Sequence, residues 1–149
     1  MSPVVTRIET LVQELADRAE ITELLARQSR WLDERAADRT AEVFTADAVA
    51  YTPGGEIRGA EAVAEHAIAR HSEYERTVHA MHSTAIALAG DEAAIECGVK
   101  AVFVLKGSEA VQFVDARYRF EARRTAAGWR LSSITVLPIS RTAGIAQTL

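Results

Sequence analysis

Apolar residues in the first part of the chain recur every three or four positions, which is the spacing of one face of an α-helix. The pattern runs from about Ile8 to Leu32. A polar segment at 17–21 can divide it into a short leader and a longer helix that begins near Glu20. We therefore predict a long helical segment here, with 17–21 as its candidate break.

Shorter elements follow before the middle of the chain. They are a short helix at 38–44, a brief strand at 48–51 that stops at the turn signal Pro53–Gly55, and a helix from Gly59 to about His71 or Tyr74. Asp38 or Thr40 is the expected N-cap of the short helix, because their side chains can accept hydrogen bonds from free backbone N–H groups.

The second half of the chain changes to an alternation of apolar and polar residues, the period of a β-strand. Four long strands are predicted, at His79–Leu88, Ala93–Leu105, Val111–Arg123 and Trp129–Pro138. Short turns join them, so an antiparallel meander is expected. Helices first and a sheet afterwards give an α+β domain.

Composition narrows the functional classes. The chain has 149 residues and a net charge of −4, which fits one globular domain at 1–149 without a basic nucleic-acid-binding stripe. We find no signal peptide and no apolar run long enough to span a bilayer, so we expect a cytoplasmic protein without a membrane partner. Cys97 is the only cysteine and cannot form an internal disulfide.

Several predicted strands carry apolar residues on both faces. Val99 and Phe103 alternate with Val102 and Val104, for example. One face can pack on the helices, and the other then needs a cover. We expect a homodimer through the sheet.

One histidine stands out in the first long strand. Alternation places His82 with Thr84 and Ile86 on the face that we expect to be interior, while His79 points to the other face. Histidine exchanges protons near neutral pH and is therefore the candidate acid/base group. His79 and His82 on opposite faces cannot chelate one metal. His66 and His71 are expected at the surface of the third helix, so we predict no metal site.

A set of local signatures then carries a family resemblance. In order along the chain they are Trp31-Leu32-Asp33, the segment 41–49, Gly59 at a helix start, and Gly128-Trp129-Arg130-Leu131. Together they resemble the SnoaL-like branch of the nuclear transport factor 2-like superfamily, from about Glu20 to Val136. The resemblance implies a cone-shaped α+β fold of three N-terminal helices packed on a strongly curved, mainly antiparallel sheet. The core would span about 20–137, and 138–149 would form a tail or a lid.

Within that superfamily the residues are most similar to the dehydratases. Asp33 stands where those enzymes carry an aspartate near the end of the long helix, and Tyr51 stands near their pocket tyrosine. His82 matches their histidine on the first long strand. Asp115 falls about where scytalone dehydratase has an asparagine. Asp33 can also be a solvated helix-end residue, Tyr51 part of the cavity wall, and Asp115 a structural ion-pair partner of a nearby arginine.

The chain also departs from its relatives. Leu32 replaces a tyrosine of scytalone dehydratase, and the second catalytic histidine of that enzyme would fall near Val102 or Phe103. Thr52 stands where ketosteroid isomerase needs its base. Lys100 and Val102 leave the Asp–Arg–Asp set of the epoxide hydrolases incomplete.

The resemblance thus implies a lyase, a dehydratase or cyclase that needs no cofactor and acts on a small apolar carbonyl compound such as a polyketide or another secondary metabolite. His82 would move the proton, Asp33 would orient His82, and Tyr51 and Asp115 would hold substrate oxygens. The residues expected to line the pocket are Trp31, Phe103, Phe113 and Tyr118. The alternatives are a non-catalytic domain that binds small molecules, and a ketosteroid-isomerase-like isomerase with Asp115 as its base.

Overall fold

The computed structural model of the chain describes residues 1–145. Its helices are α1 (Pro3–Asp33), a 3₁₀-helix (Ala37–Glu42) and α2 (Ala60–His71). Its strands are β1 (Phe44–Thr52), β2 (Gly55–Arg58), β3 (Tyr74–Ala89), β4 (Glu92–Leu105), β5 (Ala110–Thr125) and β6 (Gly128–Ile145). The predicted order of helices and strands is confirmed, with β2 as an additional strand. No side chain caps the 3₁₀-helix, so the expected N-cap role of Asp38 or Thr40 is wrong.

The six strands form one curved sheet in the order β2-β1-β6-β5-β4-β3. Strands β3 to β6 are the predicted antiparallel meander. Strand β1 pairs with β6 in parallel, which no local sequence pattern indicated. The α+β class, with helices on a mainly antiparallel sheet, is confirmed.

Ser2 is the N-cap of α1, and its side chain accepts a hydrogen bond from the backbone N–H of Val5 (3.2 Å). The helix continues through 17–21, so the expected break is wrong. Within this segment the Asp17 carboxylate accepts hydrogen bonds from Arg124 (2.8 and 2.9 Å) and Trp129 (3.2 Å). These hydrogen bonds connect α1 to strands β5 and β6.

The core lies between α1 and the inner face of the sheet. Its largest fully buried side chains are Trp129, Phe120, Ile21, Leu24, Leu131, Gln28, Val43, Val99 and Cys97. None of the helices within residues 1–145 is long and apolar enough to cross a membrane.

A β-bulge in β3 decides which histidine faces the interior. The pairing with β4 is irregular between His82 and Ala85, and Ser83 adopts a positive φ of 52°. A bulge reverses the side-chain alternation beyond it. Ile86 therefore packs against the core after the bulge, whereas His79 is the buried residue before it. The prediction that His82 faces inward and His79 outward is wrong.

The exposed His82 ring lies over Gly98 of β4 on the outer face of the sheet. A Cβ atom at Gly98 would overlap with the His82 ring. The absence of a side chain at Gly98 therefore makes room for the ring.

Strand β6 continues beyond Pro138 to Ile145 and pairs with β5 along 138–145. The expected tail or lid at 138–149 is therefore strand as far as Ile145. The remaining part of that prediction, 146–149, lies outside the described residues.

Candidate active site

Asp33 and His79 form a hydrogen-bonded pair between α1 and β3. Asp33 is the last residue of α1, and its Oδ1 atom lies 2.6 Å from Nδ1 of His79. A carboxylate oxygen accepts, so Nδ1 carries the proton, and the Nε2 atom of a neutral His79 presents a lone pair. The His79 side chain is only 3% exposed. The pair holds one fixed tautomer of a buried imidazole.

Two further hydrogen bonds fix the Asp33 carboxylate. The hydroxyl of Thr77 donates to Oδ1 (2.9 Å), and the backbone N–H of His79 donates to Oδ2 (3.0 Å). Thr77 and His79 lie on the same face of β3, two residues apart, so a single carboxylate reaches both. This geometry leaves the carboxylate little freedom to turn away from the imidazole.

A cavity of about 400 Å³ adjoins the pair, between α1 and β3. Its lining combines apolar side chains, hydroxyl groups and one arginine beside the Asp33–His79 pair: Thr22, Leu25, Ala26, Ser29, Arg30, Met81 and Thr84. Apolar side chains together with a few positioned polar groups are what a small-molecule site needs, and this lining supplies both.

An aromatic cluster borders the other side of His79. The ring of Phe103 meets the imidazole edge-on, with 5.3 Å between ring centroids. His71, at the end of α2, lies 5.4 Å from His79 and 5.7 Å from Phe103. The expectation that His71 is a surface residue is wrong.

The surroundings of His71 disfavour its protonated form. Its Nδ1 donates to the backbone oxygen of Ala67 (2.7 Å), and its buried Nε2 has no hydrogen-bond partner within the described residues. Burial lowers the pKa of His71, and the nearby His79 and Arg35 act in the same direction. The end of α2 thus places a second imidazole beside that of His79.

Tyr118 and Cys97 face each other on the inner side of β5 and β4. Burial raises the pKa of Tyr118 to about 12, with smaller contributions from Cys97 and from the charge of Asp33. Burial likewise raises the pKa of Cys97 to about 11. Tyr118 therefore remains a hydrogen-bond donor at neutral pH, and Cys97 remains an unreactive thiol.

The structure does not bring His82, Asp115 and Tyr51 to this pair. Asp115 lies on the outer face, where it accepts a hydrogen bond from Nζ of Lys100 (2.6 Å), its cross-strand neighbour. Tyr51 is 43% exposed on β1. The expected inward direction of these three side chains is wrong, because each residue lies at one of the alternating positions of its strand that face outward.

Of the four residues expected to line the pocket, two lie near the Asp33–His79 pair and two do not. Phe103 and Tyr118 lie on the inner face near the pair. Phe113 is 45% exposed on the outer face. Trp31 is buried in the core, where its Nε1 donates to the Thr40 hydroxyl (3.0 Å). The expected pocket positions of Phe113 and Trp31 are therefore wrong.

No group of three or more histidine, cysteine, aspartate or glutamate side chains that could hold a metal ion occurs within residues 1–145. The polar side chains that line the cavity carry imidazole, carboxylate, guanidinium and hydroxyl groups.

The sequence pattern of the SnoaL-like domain family matches residues 13–135. The chain belongs to this family. A comparison with curated proteins gave no match.

Solved structures of this SnoaL-like fold are similar over nearly the whole chain. Kfla4162 protein from Kribbella flavida is 25% identical, with a TM-score of 0.80 over 87% of this chain and 95% of its own. A scytalone dehydratase-like protein from Novosphingobium aromaticivorans is 16% identical, with a TM-score of 0.79 over 91% and 92%. The hexachlorocyclohexane dehydrochlorinase LinA-type3 from Novosphingobium barchaimii is 21% identical, with a TM-score of 0.80 over 93% and 98%.

These likenesses agree with the predicted superfamily. The chain has a nuclear transport factor 2-like fold, as does a superfamily member from Salmonella enterica with a TM-score of 0.78. At such low identities the similarity establishes the fold, and the chemistry has to be argued from the site itself.

Proposed function

We propose that this protein is a cofactor-independent lyase in which His79 is the acid/base group and Asp33 orients it. The observation that carries the proposal is the 2.6 Å contact between His79 and Asp33 in the lining of the cavity. A carboxylate on Nδ1 fixes the tautomer and stabilises the imidazolium that forms when Nε2 takes a proton. His79 thus takes the role that the sequence assigned to His82.

The proposed reaction is the elimination of water from a small hydroxy-carbonyl compound. Nε2 of His79 removes the proton from the carbon beside the carbonyl group. The electron pair of that C–H bond forms the new double bond as the hydroxyl leaves the adjacent carbon. The imidazolium then returns its proton to the departing hydroxyl, which leaves as water.

Two similar structures bear the names of eliminating enzymes, a dehydratase and a dehydrochlorinase. Both names describe the removal of a proton together with a leaving group, which needs a positioned base. The Asp33–His79 pair supplies such a base here. The isomerase alternative loses support, since Asp115, its proposed base, is paired with Lys100 on the outer face.

The cavity indicates the size and polarity of the substrate. A volume of about 400 Å³ suits a small molecule. Leu25, Ala26 and Met81 offer apolar contacts, while Ser29 and Thr84 offer hydroxyl groups for a substrate oxygen. We propose a small, mostly apolar carbonyl compound, of which a polyketide or another secondary metabolite is one example.

A dehydration assay tests the proposal. The aldol adduct of acetone and benzaldehyde loses water to give benzylideneacetone, whose conjugated double bond is followed by ultraviolet absorbance. We expect the wild-type chain to accelerate this reaction and His79→Gln to lower turnover by ~10²–10⁴, the usual contribution of a general acid/base group. His82→Gln is the matched control, because His82 is an exposed histidine on the same strand. Equal turnover of His79→Gln and wild type, or no acceleration by the wild type, contradicts the proposal.

A further inference from the structure

The first half of helix α1 projects from the domain and carries an apolar stripe. All residues from 1 to 16 are exposed, and Asp17 is the first buried residue of the helix. Residues 3–16 extend over roughly 20 Å at the helical rise per residue. The large apolar side chains of this segment are Val4, Val5, Ile8, Leu11, Val12 and Leu15, with exposed fractions from 43% to 68%. We call these six residues the stripe.

The stripe is not a continuation of the face that packs on the sheet. Further along α1 the buried positions include Ile21, Leu25 and Leu32. At 100° per residue the centre of the stripe points roughly 150° away from that buried face. The stripe therefore faces away from its own domain. The family match begins at residue 13, so five of the six stripe residues lie outside it.

The spacing within the stripe is that of helix pairing. Val4, Ile8, Leu11 and Leu15 follow one another at alternating intervals of four and three residues, as the core positions of a coiled coil do. The next position in this series is Arg18, whose guanidinium donates to the backbone oxygen of Ile86 (2.7 Å). The stripe ends where the helix joins the domain.

We propose that the projecting helices of two copies of this chain pair antiparallel through the stripe. One register matches all four core positions, with Ile8 against the partner's Leu11 and Val4 against the partner's Leu15. The twofold symmetry of the pair repeats both contacts.

Charge supports the antiparallel arrangement. In this register Arg7 lies beside the partner's Glu14, twice in the symmetric pair, and Val5 lies beside the partner's Val12 on the other flank. In a parallel pair Arg7 would flank a valine and gain no opposite charge. The sequence therefore favours one orientation over the other.

The charge of the segment also argues against a membrane surface as the occupant. Residues 3–16 contain one basic residue, Arg7, and two acidic ones, Glu9 and Glu14. Helices that lie on anionic membranes carry lysine and arginine on their polar face.

Six exposed side chains make a patch smaller than the ~800 Å² per partner of a standard interface, so the dimer should depend on concentration.

The test is the oligomeric state of the full chain from micromolar to millimolar concentrations, measured by sedimentation velocity. We expect a monomer–dimer equilibrium in the wild type. Leu11→Glu should raise its dissociation constant at least ~10-fold. Thr10→Glu adds the same charge one position away, outside the stripe, and should leave the equilibrium near that of the wild type. Circular dichroism checks that each variant is folded.

Charge exchange tests the orientation. Arg7→Glu or Glu14→Arg alone should weaken the dimer, and the double variant should recover it, because both pairs of the antiparallel arrangement are restored with reversed sign. A double variant that stays as weak as the single ones overturns the antiparallel pairing.

The sheet face offers the competing interface that the sequence predicted. Val78 and Phe113 are exposed on the outer face. Dissociation by Val78→Glu together with an unaffected Leu11→Glu variant overturns the helix pairing, and so does a wild-type chain that stays monomeric at millimolar concentration. None of the substituted residues lies at the cavity, so these outcomes are independent of the proposed lyase activity.

Discussion

The Nδ1 atom of His79 lies 2.6 Å from Oδ1 of Asp33, which joins the third strand of the sheet to the last residue of the long helix. The same carboxylate accepts the hydroxyl of Thr77 and the backbone N–H of His79. A single acidic residue therefore holds strand β3 against the end of α1 and also fixes the tautomer of His79. This relationship underlies the proposed chemistry.

Asp33→Asn should lower turnover in the dehydration assay by a factor similar to that of His79→Gln. A carboxamide cannot stabilise the imidazolium by charge, and its NH₂ group can donate toward Nδ1 and favour the wrong tautomer. We expect the loss in kcat with KM little changed, because the substrate contacts remain. Asp115→Asn, which alters a carboxylate on the outer face, is the control and should keep wild-type kinetics.

The double variant His79→Gln/Asp33→Asn tests whether the two residues act together. If Asp33 works through His79, the double variant should be about as slow as His79→Gln alone. Steady-state kinetics of the four proteins in this cycle provide the measurement. Losses that multiply would instead indicate two independent roles.

Asp17 should stabilise the fold in a pH-dependent way. Hydrogen bonds from Arg124, together with those from Trp129 and Gln13, lower the pKa of Asp17 from 3.8 to about 2. The unfolded chain takes up the proton first as the pH falls, so this stabilisation is complete above pH 3.8 and disappears as the pH approaches 2.

At pH 7 we expect Asp17→Asn to lower the free energy of unfolding by about 1–2 kcal/mol, and by less near pH 3. Urea denaturation at the two pH values measures the difference. Asp91, the exposed second partner of Arg124, supplies the control Asp91→Asn, which should cost much less. An effect of Asp17→Asn that is the same at both pH values would count against this account.

His71 should make the fold less stable in mild acid. Burial lowers its pKa from 6.5, so the unfolded chain binds a proton more readily than the folded chain does. Stability is then complete above pH 6.5 and falls as the pH drops below that value. Urea midpoints at pH 7.5 and 5 should differ more for the wild type than for His71→Gln. Equal differences would show that His71 is not the group responsible.

The bulge at Ser83 should control the direction of His79. Ser83 has a positive φ of 52°, which costs a β-branched residue ~1–2 kcal/mol or more. Ser83→Gly should be tolerated in both stability and turnover. Ser83→Val should destabilise the fold and lower turnover, because a regular strand cannot keep both His79 and Ile86 on the inner face. Thermal unfolding and the dehydration assay together check this, and a fully active, equally stable Ser83→Val variant would refute it.

Periodicity alone was enough to predict most elements of this fold. The helical spacing of the first part of the chain and the alternation after residue 79 predict α1 and the four-stranded meander, because both patterns are local. The parallel pairing of β1 with β6 joins segments more than eighty residues apart, and no local pattern encodes it. The continuation of α1 through 17–21 could not be predicted, since Arg124, the partner of Asp17, lies far along the chain on β5.

Only part of the site could be predicted, because its other residues depend on contacts between distant parts of the chain. Asp33 was found through the family resemblance, in which an aspartate stands near the end of the long helix. His79 and His82 lie on opposite faces of β3. Counting the alternation back from Ile86 and Leu88 assigns these faces wrongly, because the bulge reverses the alternation between His82 and Ala85. His71 lacked any periodic signal, because its burial depends on how α2 meets the sheet. Counting the strand alternation from Thr77, whose hydroxyl group donates to Asp33, would have placed His79 on the inner face.

The most direct test of the central claim follows the proton that His79 is proposed to remove. Benzylacetone has the carbonyl group of the dehydration substrate without its leaving hydroxyl, so proton removal can be observed in isolation. In D₂O, proton NMR reports the exchange of the hydrogens beside its carbonyl for deuterium. The account predicts exchange accelerated by the wild type and by His82→Gln, and lost in His79→Gln. Exchange by His79→Gln at the wild-type rate would contradict the assignment of His79 as the base.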